Sequence, residues 1–463
     1  MNLWRTAGAA LVCAAALLAA ATPAQARVLK AIWGPHELPT GNAQCPDTDK
    51  RCSAFPVYNE LGVDVYQFQI HWDEVAPTRP AQPRNPNDPA YDWSKADEIV
   101  AGAERHGVQP AALVQRSPQW ASGHRTPIWA PKNPQWFADF LFAAGKRYPS
   151  IRMWMIWGEP ARGENFQPMR RGHRGGPRRY AVLLDRAYAS LKRADPRNVV
   201  IGGMTLNGGT VPPPQFIQWL KLPGGKPPRM DLWGHNPFEA RFPDLRDKPI
   251  GRYRGFNDVD TLFREIKREY RRARMKVPRL WLSEWTIVSD KPISLFSGFF
   301  VSRREQARRL RVAYRLSDQA PYVAGLGWFT LMDEPWSLKS ASWGLMQYNG
   351  VPKPSFRVYR NVTGDTPRRA SPNSRTCGIL PGDGAYSFVK TRGVSCRAGY
   401  GVANRARKRF CAPRSGCRLR RPGPVFKGKV RYAGWTCRVK QGWELNLVDC
   451  RKGGKRIFRK SAA

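Results

Sequence analysis

Short apolar runs alternate with longer segments whose apolar positions recur every three or four residues over the first 362 positions of the chain. VLKAIWG (28–34), VDVYQFQIHW (63–72), VQPAALVQ (108–115) and IRMWMIWGEP (151–160) read as strands. So do NVVIGGMTL (198–206), MDLWGHNPF (230–238), PRLWLSEW (278–285) and VAGLGWFTLM (323–332). Between them lie helical patterns: DWSKADEIVAGAERHG ends at Gly107, and NPQWFADFLFAAGKRYP, RRYAVLLDRAYASLKRADP, DVDTLFREIKREYRRARM and SRREQARRLRVAYRLSDQ follow. Eight strands alternating with helices predict an α/β protein with a (β/α)8 TIM barrel over 27–362. An open doubly wound sheet is the rival, but no glycine-rich phosphate turn follows the first strand.

The periodicity stops near Val362. TGDTPRRASPNSR (363–375) is polar, contains proline and reads as a linker. Residues 376–463 are basic and hold six cysteines and strand-like pieces such as GWTCRVK, which predicts a small disulfide-stapled β-rich module.

Residues 1–26 place Arg5 before an apolar stretch that ends at Ala24-Gln25-Ala26, the layout of a cleaved signal peptide. No later segment is apolar enough to cross a membrane. Signal removal takes away Cys13 and leaves eight cysteines, an even count that favours disulfides in an exported chain. Cys45 and Cys52 flank PDTDKR and are expected to close a small loop. No His and Cys cluster has the spacing of a zinc site, so no metal and no cofactor is expected. Net charge is +42, and the segment 371–463 carries 23 Lys and Arg against 3 Asp and Glu, or +20. Such a field attracts polyanions. Export makes anionic cell-wall or extracellular polymers the expected partners of the tail, ahead of nucleic acid, with the protein secreted or wall-associated.

Catalytic groups of a (β/α)8 barrel stand at the C-terminal ends of its strands. Glu159 in WMIWGEP ends the fourth strand and Glu284 in LWLSEWT ends the seventh. Each follows an apolar run and has a tryptophan within two residues, so each is expected to be partly desolvated. Two such acids facing one another can cleave a glycosidic bond, one protonating the leaving oxygen and the other attacking the anomeric carbon or activating water. The pattern resembles the retaining glycoside hydrolases of clan A over residues 28 to about 362. The resemblance implies Glu159 as acid/base within Trp157-Gly158-Glu159-Pro160 and Glu284 as nucleophile within Ser283-Glu284-Trp285. It implies a substrate-site role for His235, with Asn236 beside it, and an aromatic platform at Trp328.

Two positions depart from that pattern. Gly158 stands where the clan places an asparagine that touches the sugar, and Phe238 is the nearest aromatic where a tyrosine often touches the nucleophile. Trp33, Trp72, Trp120, Trp336 and Trp343 offer flat apolar faces to sugar rings, with Trp157 and Trp285 flanking the acids. Core packing is the competing role for each of these tryptophans. His71 is a further substrate candidate, while Glu74, Asp333 and Glu334 are loop acids near the same barrel face. The expected function is a secreted retaining glycoside hydrolase acting on a poly- or oligosaccharide. A carbohydrate-binding pseudoenzyme impaired by Gly158 and Phe238, or a wall-attached binding protein, is the alternative.

Overall fold

A computed structural model describes residues 27–45, 52–169, 173–247, 251–290, 300–334, 342–362, 374–379, 387–392, 426–441 and 445–462, with isolated positions at 249, 394, 398 and within 402–409. The signal-peptide expectation at 1–26, Trp336 and most of the linker lie outside these residues.

The chain runs β1 (Leu29–Trp33), α1 (Phe55–Leu61), β2 (Val65–His71), α2 (Trp72–Val75), α3 (Ser94–Arg105), β3 (Gln109–Gln115), α4 (Gln119–Ser122) and α5 (Pro134–Arg147). It continues with β4 (Met153–Ile156), α6 (Gly175–Ala194), β5 (Val199–Leu206), α7 (Pro213–Trp219), β6 (Leu232–Asn236), α8 (Val259–Arg272), β7 (Arg279–Trp285), α9 (Arg303–Gln319), β8 (Val323–Phe329) and α10 (Pro354–Asn361). The eight strands pair in parallel and in sequence order, and β8 closes onto β1. The barrel is therefore the one the sequence pattern predicts, and the open sheet is excluded.

Strands buried on both faces need apolar residues in both alternations, which is why these runs are continuous rather than alternating. One alternation fills the barrel: Ala31, Trp33, Val65, Ala111, Leu113, Met153, Met155, Ile201 and Trp281 form one cluster. The other packs Ile32, Ile70, Val114, Trp154, Ile156, Leu282 and Trp328 against the helices. Inside the barrel, Trp281 lies over Gly325, where a Cβ would come within 2.2 Å of the indole; only glycine leaves that space. Gln67 meets the polar atoms of this interior: it donates to Ser283 O (2.9 Å) and accepts from Ser283 Oγ (3.0 Å) and Trp281 Nε1 (2.9 Å). A buried amide with these bonds satisfied avoids a desolvation cost and holds the upper part of β7 in place.

The C-terminal module contains an antiparallel sheet in the order β11 (Phe426–Tyr432), β12 (Trp435–Gln441), β13 (Leu445–Lys452), β14 (Lys455–Ala462), β10 (Ser387–Arg392), β9 (Ser374–Ile379). Cys437 and Cys450, opposite one another on β12 and β13, form a disulfide. Among the described residues no helix is long and apolar enough to cross a membrane.

Candidate active site

Strand β7 carries a bulge just where its acid is needed. Leu282 pairs with Leu326 and Trp285 with Trp328, so three steps along β7 oppose two along β8. Leu282, Trp285 and Trp328 all pack outward against the helices. The extra residue leaves Ser283 and Glu284 together between two outward positions, and a bulge re-aims side chains in this way. Ser283 bonds Gln67 in the barrel interior, and Glu284 is left at the mouth. After β4 the backbone enters the left-handed region at two non-glycine residues, Trp157 (φ 61°) and Glu159 (φ 46°). Such residues are uncommon and cost energy, so the packing around them must hold them there. The Trp157 indole, buried between Phe137 and Phe166, supplies part of that hold.

The two carboxyl groups have different surroundings. Glu159 Oε1 accepts from Asn236 Nδ2 (3.0 Å), and its Oε2 accepts from Arg162 Nη1 (3.0 Å) and Asn165 Nδ2 (3.3 Å). Glu284 is half-buried at the mouth, and desolvation there pushes its carboxyl up to about 8; the charge of Glu159 adds to the rise, and a hydrogen bond from Asn236 opposes it. Asn236, itself buried at the end of β6, thus lies between the two acids. The sequence led us to expect partial desolvation at both acids. The structure half-buries both, and it surrounds Glu159 with donors.

Gly158 is filled from outside. Its N–H donates to Gln115 Oε1 (3.2 Å), and a Cβ at this position would meet Gln115 Oε1 at 2.9 Å and Leu113 Cδ2 at 3.2 Å. Gln115 in turn donates to Gln69 Oε1 (3.0 Å), which contacts His71 Nε2 (2.7 Å). An amide from the end of β3 therefore occupies the space beside Gly158. His71 belongs to a polar network rather than standing free: its Nδ1 lies 2.9 Å from Glu74 Oε1, and Arg116 pairs with both Asp73 (2.7 Å) and Glu74 (3.1 Å).

Several expected substrate contacts have structural surroundings instead. His235 is fully buried, with Nδ1 at 2.8 Å from Thr205 Oγ1 and Nε2 at 2.7 Å from Arg254 O; burial lowers its pKa to about 4. A neutral imidazole with both nitrogens engaged ties β5 to β6 and the loop beyond. Trp72 packs on Trp120, Phe137 and Phe140 in the helical layer. Trp157 donates to Asn165 O (2.8 Å) and so supports a residue that bonds Glu159. Trp285 and Trp328 stack edge to face on the outer side of the barrel, so Trp328 is not an exposed platform. Its neighbour Phe329 points the other way, toward the barrel interior, and is half-buried. Phe329 meets Phe238 (6.2 Å) and Trp343 (6.0 Å), giving an aromatic cluster at this end of β8. Alternation explains the exchange: adjacent strand residues face opposite ways, and two adjacent aromatics left the choice open. Trp33 is buried in the barrel and donates to Ser283 O (3.2 Å), bracing the residue before Glu284. Asp333 pairs with the buried Lys353 (2.5 Å) and is structural, while Glu334 is exposed.

Arg162, Asn165, Gln115 and Phe329 were missed in the sequence. The first two sit three and six residues beyond Glu159, spacing that a loop winding back over its own acid would produce. Cys45 and Cys52 are both buried, and Cys52 Sγ lies 3.3 Å from the carbonyl of Gln44, next to Cys45. Among the described residues, His36, Glu37 and Glu98 bring one possible metal-ligand atom each within 4.8 Å of one another, a grouping common at surfaces without an ion.

No family model and no curated protein sequence matches the chain. Solved structures do match its fold. A family 39 glycoside hydrolase from the gut symbiont Bacteroides cellulosilyticus WH2 superimposes with a TM-score of 0.51 at 15% identity, covering 94% of this chain and 81% of the other. A glucosidase from Croceicoccus marinus gives 0.52 at 11% identity, covering 95% and 100%. The chain thus has the barrel fold seen in family 39 glycoside hydrolases, which agrees with the clan A resemblance of its motifs.

Proposed function

We propose that the protein is a retaining glycoside hydrolase that cleaves an O-glycosidic bond by double displacement. The observation that carries the reading is the pair of carboxyl groups just beyond β4 and at the end of β7, with Asn236 between them and the charge of Glu159 felt by Glu284. In the first step the Glu159 carboxyl gives its proton to the glycosidic oxygen. A Glu284 carboxylate oxygen bonds the anomeric carbon as the bond to the leaving group breaks. In the second step Glu159 takes a proton from water, the water oxygen bonds the anomeric carbon, and the ester to Glu284 breaks. Both groups return to their starting states.

For this sequence of steps the proton of the resting pair has to sit on Glu159. Desolvation instead favours it on Glu284, while the Glu159 carboxyl is ion-paired to Arg162 at 3.0 Å. Substrate binding between the two acids therefore has to move the proton from Glu284 to Glu159. The same partners favour a second reading, in which Glu284 is the acid and Glu159 the nucleophile. Kinetics separate the two. Under the first, Glu159→Ala keeps the glycosylation step on an activated aryl glycoside, loses about 10²–10⁴-fold on poor leaving groups, and is rescued by azide with a retained product. Glu284→Ala loses turnover on every substrate. The opposite pattern assigns the roles the other way. Equal loss in both variants on all leaving groups, with no azide adduct, would remove the double-displacement mechanism.

The substrate we propose is a poly- or oligosaccharide, bound against the Phe238–Phe329–Trp343 cluster. We also propose export, with cleavage after Ala26; the Cys437–Cys450 disulfide supports an oxidising destination. Intact mass of the secreted chain tests this, since a mature form should begin at Arg27.

A further inference from the structure

The cations near the acids are already matched. Arg116 pairs with Asp73 and Glu74, and Arg162 with Glu159. The C-terminal sheet is different. One of its faces is apolar: Val430, Tyr432, Trp435, Cys437, Val439, Val448, Cys450 and Ile457 form the module's core. The alternate positions make the other face, and there Lys429, Arg431, Arg438, Arg451 and Arg456 are all exposed.

Strand register arranges them in rows. Arg431, Thr436, Arg451 and Arg456 are successive partners across β11 to β14, and Arg392 on β10 extends the row. Lys429, Arg438 and Asp449 form the next row, continued by Phe458 and Lys390. Lys427, Lys440, Leu447 and Lys460 form a third. Asp449 is the one acid in these rows, and Arg456 (2.9 Å) and Arg451 (3.7 Å) already hold it. Lys429, Arg431 and Arg438 have no acidic partner among the described residues. Like charges directly opposite on neighbouring strands are destabilising. Lys429 faces Arg438, and Arg451 faces Arg456. Strands about 4.8 Å apart and side chains about 6.8 Å apart along each strand make these cations a flat lattice, suited to an extended chain with repeated anions.

We infer that this face docks a linear polysaccharide bearing carboxylates along its length. The charge lattice stands on the sheet itself; only the choice of a glycan among polyanions rests on the glycosidase reading.

The test uses the full chain and polygalacturonate as probe, with its methyl-esterified form as the uncharged control. Polygalacturonate should bind, the esterified polymer should not, and affinity should fall as salt rises. The variant Lys429→Ala/Arg438→Ala/Arg451→Ala should lose about tenfold in affinity, the sum of three exposed charge contacts. Its hydrolysis of a small aryl glycoside should be unchanged. Removing Arg304, Arg308 and Arg311 from α9 instead should leave binding intact. Equal binding of the esterified polymer, no loss in the sheet variant, or equal loss in the α9 variant would each overturn the proposal. So would tighter binding of single-stranded DNA or of phosphatidylglycerol vesicles. Absence of aryl glycoside turnover in the unmodified protein would count against the glycosidase reading and leave the charge lattice standing.

Discussion

Glu284 shows how one residue's surroundings become a measurable property of the whole protein. Its carboxyl is raised from an ordinary 4.5 to about 8, chiefly by burial. The folded state therefore holds a proton that the unfolded chain releases in this range. Stability from this group is fully present below about pH 4.5 and is lost as pH rises toward about 8. Glu284→Gln removes the dependence. The variant should gain stability over the unmodified protein between pH 5 and pH 8, by up to roughly 4 kcal/mol at the upper end. Thermal unfolding at a series of pH values measures it; a difference that does not change with pH would show that Glu284 is not desolvated. Gly158 is a second residue whose meaning depends on its neighbours. In the sequence it marks a missing asparagine. In the structure the Gln115 amide already lies where a longer side chain would grow.

At the scale of elements, the strands and the long helices were legible because burial on two faces and on one stripe leave different periods in the sequence. The bulge in β7 and the left-handed turn after β4 were not legible. Both are local departures from period that residue type does not announce: the extra residue is one of Ser283 and Glu284, and the left-handed positions of the turn fall on Trp157 and Glu159 rather than on Gly158 between them. Helix α9 was readable from its first residue. Ser302 caps it by accepting from the Glu305 N–H at 3.2 Å. Ser302→Ala should cost about 1 kcal/mol, the usual loss when a capping oxygen is removed, and chemical denaturation of the barrel should report it. No change in the midpoint would mean that water replaces the cap at no cost.

For the whole molecule, the chain joins an acid-bearing barrel to a small basic sheet closed by Cys437–Cys450. With a sequence separation of 13, that crosslink closes a short loop. Its entropic contribution is about 3 kcal/mol by the loop-closure relation. Small modules have little core to spare, so Cys437→Ser/Cys450→Ser should melt the sheet well before the barrel. Hydrogen exchange resolved along the chain should show β12 and β13 losing protection while β4 and β7 keep theirs. Simultaneous loss in both would mean that the two parts unfold as one unit.

The sequence by itself determined the barrel, the order of its strands and the positions of Glu159 and Glu284 along them. Each follows from periodicity, which every residue of an element repeats and which therefore survives local irregularity. The basic character of the tail was equally readable, since charge adds without regard to folding. Tertiary structure decided everything that depends on one residue meeting another far away in the chain. It placed Asn236 between the two acids, set Gln115 against Gly158, enclosed His235, and turned Phe329 rather than Trp328 toward the barrel interior. The same register arithmetic gathered the tail's cations onto one face of a sheet. Composition counts charges, but only strand pairing says which of them are neighbours.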